Sequence, residues 1–178
     1  MITLIGLCGK KSSGKDTVCT IIRAWEKRLV LPVVRYAFAD ALKADIAQAF
    51  GTTVDFINAN KKNPVMRKLL QLYGVARREE RATFWINKME LKLFENLGAK
   101  PNHIAIVTDV RFQNEAEFIR GYGGRIVKID RGELPLDMHI SETELNSITP
   151  DFALQNKGSI KMLELEVKYL LEQYNLFK

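Results

Sequence analysis

The chain reads as a three-layer α/β/α domain built on a parallel sheet of about five strands. Two observations predict this. Short apolar, β-branched runs alternate with segments whose apolar residues recur at helical spacing, the pattern of strands joined by crossover helices. The first of these runs also leads directly into a glycine-bearing loop and a helix start, a unit that forms an anion site. At 178 residues the chain is long enough for one domain with a substantial core.

The elements follow in order. Residues 2–8, Ile-Thr-Leu-Ile-Gly-Leu-Cys, form an apolar run of strand length. A helix is expected over 15–29, with Val18, Ile21, Ile22, Trp25 and Leu29 on one face. Val33–Phe38 is the second strand, and Ala39–Phe50 a helix ended by Gly51. Residues 52–63 read as irregular or only briefly helical. Pro64 opens a helix through Val65–Tyr73, and Gly74 is expected to stop it. Another helix spans 79–96 and ends near Gly98. Ile104–Thr108 is a buried strand. Glu115–Tyr122 is helical, Gly123-Gly124 ends it, and Arg125–Asp130 is a further strand. Residues 131–150 are polar, punctuated by Gly132, Pro135 and Pro150, and read as a mobile lid. Asp151–Leu154 is a last short strand, and Ser159 caps a final helix to about Asn175. No repeat, low-complexity tract or linker divides the chain. The expectation is a single domain, 1–178, with a helical insertion at about 40–100 and the lid at about 131–150.

Residues 9–15, Gly-Lys-Lys-Ser-Ser-Gly-Lys, fill the first seven positions of the phosphate-binding pattern G-x-x-x-x-G-K-[ST]. Successive backbone N–H groups converge on phosphate oxygens there, and the helix start adds partial positive charge. Gly9 and Gly14 allow the tight turn, and Lys15 is placed to reach the β/γ-phosphates of a nucleotide. Asp16 stands where Ser or Thr normally ligates Mg²⁺, and Thr17 follows it. A carboxylate can serve that ion directly or through water, or can sit in the first turn against the helix dipole. Asp109, just past the 104–108 strand, can hold Mg²⁺ in the same way or cap a turn. Arg111 can grip a phosphate with its planar fork or lie on the surface. On pattern alone Arg67 and the cluster Arg77, Arg78 and Arg81 are solvated faces, and Phe84 and Trp85 are core. His139, Ser141 and Glu142 lack a third triad member, so hydrolase chemistry is poorly supported.

Composition narrows the partners. A net charge of +6 suits a pocket that collects phosphates. The basic residues are dispersed and not interleaved with aromatics, which argues against nucleic acid. No stretch reaches the ~20 apolar residues of a membrane span. No secretory signal is visible, and Cys8 and Cys19 have no metal spacing, so a reduced cytoplasmic protein is expected.

Six segments carry a family resemblance. They are Gly9-Lys10-Lys11-Ser12-Ser13-Gly14-Lys15-Asp16-Thr17, Phe38-Ala39-Asp40-Ala41-Leu42-Lys43, Arg67-Lys68-Leu69-Leu70-Gln71-Leu72-Tyr73-Gly74, Trp85-Ile86, Asp109-Val110-Arg111-Phe112-Gln113-Asn114-Glu115 and His139-Ile140-Ser141-Glu142. Together the chain resembles the viral (phage-type) deoxynucleoside monophosphate kinase family, relatives of phosphomevalonate kinase among the P-loop kinases. The segments keep the family's order and cover most of the chain. The Asp-Val-Arg-Phe-x-Asn-Glu string is the most specific, and Gly-Lys-Asp-Thr in the loop is itself a family-like trait.

The resemblance implies a P-loop kinase that transfers the γ-phosphoryl of ATP to a deoxynucleoside monophosphate (dNMP) with Mg²⁺, giving dNDP and ADP. Carried onto this chain, it implies that Gly9, Ser12, Ser13, Gly14, Lys15, Asp16 and Thr17 hold ATP, with Arg131 closing over the donor. Asp16 and Asp109 hold the metal. Lys11, Asp40, Lys43, Arg67 and Arg111 bind the dNMP, and Lys15, Arg111 and Asp40 carry the catalysis. The implied partners are ATP and dNMPs, with no nucleic acid or membrane, in the host cytoplasm if the source is viral; a homodimer is left open. Two other functions also stay open to the residues: a kinase of another small phosphorylated acceptor, of the phosphomevalonate or dephospho-coenzyme A type, and a nucleotide-binding protein without activity.

Overall fold

The computed structural model describes residues 2–99, 101–132 and 144–178. The chain forms two compact units: one runs to Tyr36 and resumes at Leu97, and the other is Ala37–Asn96.

The first unit holds the sheet. Its strands are β1 (Ile2–Cys8), β2 (Val33–Tyr36), β3 (His103–Val110), β4 (Arg125–Asp130) and β5 (Phe152–Gln155). All pairings are parallel, in the order β2-β3-β1-β4-β5. Its helices are α1 (Lys15–Ala24), α6 (Gln113–Gly121) and α7 (Ile160–Gln173). Parallel strands need crossovers, and the crossovers cover both faces with apolar side chains. On one face Ile5 and Leu7 of β1 pack with Val18 and Ile22 of α1 and with Leu163, Val167 and Leu170 of α7. On the other, Gly6 of β1 lies under Ile119 of α6 and Ile126 of β4. This is the three-layer α/β/α arrangement the alternating pattern predicts. Adjacent strands β1 and β3 send their crossover helices, α1 and α6, to opposite faces. Such divergence opens a crevice outside the carboxyl ends of the two strands, where α/β folds bind ligands.

The second unit is helical: α2 (Phe38–Ala49), α3 (Val54–Asn60), α4 (Pro64–Glu80) and most of α5 (Phe84–Ala99). Ile46, Ala47 and Ile57 form its small centre, with Leu42, Met66, Leu69, Leu70 and Tyr73 against it. The Asn63 side chain caps α4 by accepting from the N–H groups of Val65 and Met66, and Pro64 occupies the first turn.

Several boundaries differ from the sequence expectation. The first helix stops at Ala24, followed by a single 3₁₀ turn over Glu26–Arg28. There the Glu26 carboxylate accepts from the Val33 N–H at 2.8 Å, tying the turn to the start of β2. Gly74 does not end α4; the helix runs six residues further, to Glu80. The Gly74 carbonyl accepts from the Trp85 indole at 3.1 Å and from Arg78 at 3.1 Å. A Cβ at Gly74 would meet Arg78 and Leu42 only at ordinary contact distance, so it is the carbonyl of this residue, not its missing side chain, that the packing uses. The next helix accordingly begins at Phe84, not at 79. Arg77 is not a solvated face residue: its guanidinium lies over the rings of Tyr73 and Phe84 at 5.2 and 5.1 Å and bonds Glu80. Trp85 is buried, as expected of a core residue.

β3 extends past Thr108 to Val110. Gly6 pairs with Val107 and Cys8 with Val110, so two steps on β1 match three on β3. The additional residue is a bulge at Thr108–Asp109, which keeps the strand going past the polar pair that seemed to end it.

Of the expected lid, residues 133–143, including His139, Ser141 and Glu142, lie outside the described residues. The stretch after them is packed rather than loose. Leu145 and Ile148 are buried, and Arg120 donates to the Thr149 carbonyl and faces Asp151 at 3.5 Å.

The sheet leaves no room at Gly124. A Cβ there would fall 2.7 Å from the Leu4 carbonyl oxygen and 2.8 Å from that of Ile119. Backbone atoms cannot move aside cheaply, so Gly124→Ala should destabilise the protein by about 1–3 kcal/mol. Urea unfolding followed by circular dichroism measures it, and an unchanged midpoint would contradict this packing.

Candidate active site

The loop between β1 and α1 turns back on itself through three residues with positive φ: Gly9 at 143°, Ser12 at 64° and Gly14 at 104°. These values disfavour side chains, and at Gly9 a Cβ would also lie 2.6 Å from the Ile129 carbonyl. Glycine at position 9 thus lets the loop pass directly against β4. The Lys15 ammonium is buried inside the turn. It donates to the carbonyls of Gly9 at 2.6 Å and Lys10 at 2.8 Å, while the Ser13 N–H closes onto Lys10 O at 3.1 Å. With these carbonyls bound to donors, the opposing N–H groups of the same peptide planes turn to the other side of the loop. The Lys15 ammonium thus puts a positive charge at the centre of the loop.

Ser13 and Lys15 are buried, and Lys11, Asp16 and Thr17 are exposed around them. Arg131, at the end of β4, donates to the Ser12 carbonyl at 3.0 Å. The structure thus brings the expected donor residue Arg131 onto the phosphate loop. Asn156, which the sequence reading passed over, donates from its side chain to the Ser13 carbonyl at 2.8 Å. An Asn after a short strand reads equally as an ordinary turn residue, so only the fold reveals this contact.

Asp109 and Arg111 stand half-buried at the carboxyl end of β3, beside the strand that feeds the loop. Asp109 belongs to the bulged end of the strand rather than to a following turn. Glu115, only 2 % exposed, supports this segment. Its carboxylate accepts from the N–H groups of Arg111 at 2.9 Å and Phe112 at 3.3 Å. The side chain closes the start of α6 and fixes the backbone that carries Arg111. Its signal was in the sequence as an acid three residues into a helix start.

In the helical unit, Asp40 and Lys43 lie one turn apart on α2, 3.7 Å from each other. Arg67 is half-buried on α4, which packs against α2.

Two nearby thiols take no part in this chemistry. Burial pushes the Cys8 thiol up to about 11 and raises Cys19 as well. Both stay protonated at neutral pH and are poor nucleophiles. Asp130 moves the opposite way: the Gly132 N–H, then the Lys157 ammonium at 2.9 Å, hold its carboxyl below the usual range. Among the described residues no group of three or more His, Cys, Asp or Glu side chains is arranged to hold a metal. No described helix is long and apolar enough to cross a membrane.

The model of the deoxynucleotide monophosphate kinase family matches residues 51–167. A protein of Acanthamoeba polyphaga mimivirus, named by inference a deoxynucleotide monophosphate kinase, is 31% identical over 181 residues, covering 90% of this chain and 91% of its own. The uncharacterized protein ORF77 of Ictalurid herpesvirus 1 (strain Auburn) is 25% identical over 173 residues, covering 95% of this chain and 70% of its own. Among solved structures, shikimate kinase from Aquifex aeolicus vf5 covers 97% of this chain and 98% of its own at 18% identity, with a TM-score of 0.47. APS kinase from Mycobacterium tuberculosis covers 96% of each chain at 18% identity, with a TM-score of 0.46.

Removing the Glu115 carboxylate leaves the Arg111 and Phe112 N–H groups without that acceptor. Glu115→Ala should cost about 1–3 kcal/mol, measured by chemical denaturation. A wild-type stability would show that solvent satisfies these donors equally well.

Proposed function

The chain belongs to the deoxynucleotide monophosphate kinase family, and from that premise we propose which of its residues perform the transfer. It is a phosphotransferase, and its acceptor is a deoxynucleoside monophosphate. The observation that carries the assignment of roles is the turn Gly9–Lys15, with a buried ammonium at its centre and a helix beginning at its end.

In this reading the loop's backbone N–H groups and the α1 N-terminus bind the β- and γ-phosphates of ATP. Gly9, Ser12, Ser13, Gly14, Asp16 and Thr17 shape that cradle. Lys15 exchanges the carbonyls of Gly9 and Lys10 for phosphate oxygens, so its charge meets the group being transferred. Arg131 borders the donor from the end of β4. Asp16, exposed in the first turn of α1, and Asp109, half-buried near the carboxyl end of β3, have the donor chemistry of a hard divalent cation, since Mg²⁺ characteristically takes one or two carboxylates and completes its shell with phosphate and water. Mg²⁺ at these residues would neutralise charge on the donor phosphates.

The acceptor phosphate needs cations rather than a strong base, because its oxygen is already ionised at neutral pH. Lys11, Arg67 and Arg111 supply them in our reading, and Asp40 with Lys43 lines the acceptor side. Arg111 is the residue whose geometry matters most. Its planar fork can grip two phosphate oxygens at once, and Glu115 holds its backbone still. The relatives come from two viruses, which supports a host-cytoplasmic location.

A transfer assay with radiolabelled ATP against dNMPs, NMPs and phosphomevalonate tests the activity. Label should pass to a dNMP. Lys15→Met should lower kcat by about 10²–10³-fold while circular dichroism stays that of the wild type. Transfer to phosphomevalonate alone, or near-normal turnover in folded Lys15→Met, would overturn the reading.

Arg111→Lys keeps the charge and loses the fork. It should raise the dNMP KM or lower kcat by at least about tenfold, with the ATP KM unchanged. Unaltered steady-state constants for this variant and for Arg67→Ala would move the acceptor site elsewhere.

A further inference from the structure

Two side chains reach the phosphate loop from just past the ends of β4 and β5. Arg131 follows β4 and bonds the Ser12 carbonyl; Asn156 follows β5 and bonds the Ser13 carbonyl at 2.8 Å. Asn156 is itself held. Its backbone N–H donates to Asp130 O at 2.7 Å. The Asp130 carboxylate in turn takes the Gly132 N–H at 2.8 Å and the Lys157 ammonium at 2.9 Å. The ends of β4 and β5 are thereby joined, and the Asn156 amide is fixed over Gly14. The amide nitrogen occupies the space a Cβ at Gly14 would require.

The described chain has no cis peptide bonds. In a trans peptide the C=O of one residue and the N–H of the next point in opposite directions. Holding the Ser13 carbonyl toward Asn156 therefore turns the Gly14 N–H away from it. Gly14, at φ 104°, has little steric preference of its own and could otherwise rotate. The fold supplies an external restraint where the chain itself has least.

We propose that Asn156 is a positioning residue for the donor phosphates: it sets the Ser13–Gly14 peptide so that the Gly14 N–H faces a phosphate oxygen. It acts through the loop and does not touch the nucleotide. This rests on the reading of Gly9–Lys15 as the donor-phosphate site.

Inorganic tripolyphosphate is the probe, because it has neither base nor ribose. Its Kd is measured by calorimetry for wild type, Asn156→Ala and Asn156→Leu, beside the KM values for ATP and dNMP. Leucine keeps the volume of the side chain and removes the donor, so two independent variants report on the bond. The expected result is a rise of about tenfold in tripolyphosphate Kd and in ATP KM, the equivalent of one hydrogen bond, with the dNMP KM unchanged and the protein still folding cooperatively at a slightly lower melting temperature. Weaker ATP with unaltered tripolyphosphate binding would overturn the proposal, since Asn156 would then act on the nucleoside. Unaltered binding of both, or full function in Asn156→Leu, would overturn it too. A wild-type protein that does not bind tripolyphosphate would instead remove the loop reading on which the proposal rests.

Discussion

The Lys15 ammonium holds together the loop that precedes it. A charge buried in a protein must find oxygen acceptors, and here the nearest are the carbonyls of Gly9 and Lys10 in its own loop. The loop must therefore curl around the lysine, which requires the positive φ angles at positions 9, 12 and 14. The same curl turns the N–H groups of those peptides away from the ammonium.

This loop depends on the sheet beneath it. Gly9 passes so near β4 that only glycine fits, and Gly6 and Gly124 bring α6 down onto β1 and β4. Placing β1 between β3 and β4 gives the loop neighbours on each side: Asp109 and Arg111 from β3, and Arg131 from β4. An extra residue in the bulge at Thr108–Asp109 lets β3 keep its pairing with β1 through Val110.

The helical unit follows a different logic. Its centre is small, and it is completed by aromatic and cationic contacts rather than by aliphatic packing alone. Arg77 lies over Tyr73 and Phe84, and the Trp85 indole bonds the Gly74 carbonyl. Such contacts join α4 and α5 within the unit and keep the aliphatic stem of an arginine useful as packing surface.

Local signals determined much of this protein. Strand-length apolar runs, helical spacing and the glycine–lysine loop carry their information within a few residues of each other, so β1, β4, the phosphate loop and the Ser159 cap were legible from order alone. The family motifs around Asp109-Val110-Arg111 were legible for the same reason. Boundaries and supports were not. Gly74 looks like a helix stop until its carbonyl is seen to take bonds from Trp85 and Arg78. Thr108-Asp109 looks like a strand end until β1 supplies the register that a bulge preserves. Asn156 lies 143 positions from Ser13, and no local pattern connects them. The sequence alone determined which residues could bind phosphate. Only the tertiary structure decided which distant side chains hold that site in shape, because hydrogen bonds depend on proximity in space and the chain writes proximity only in order.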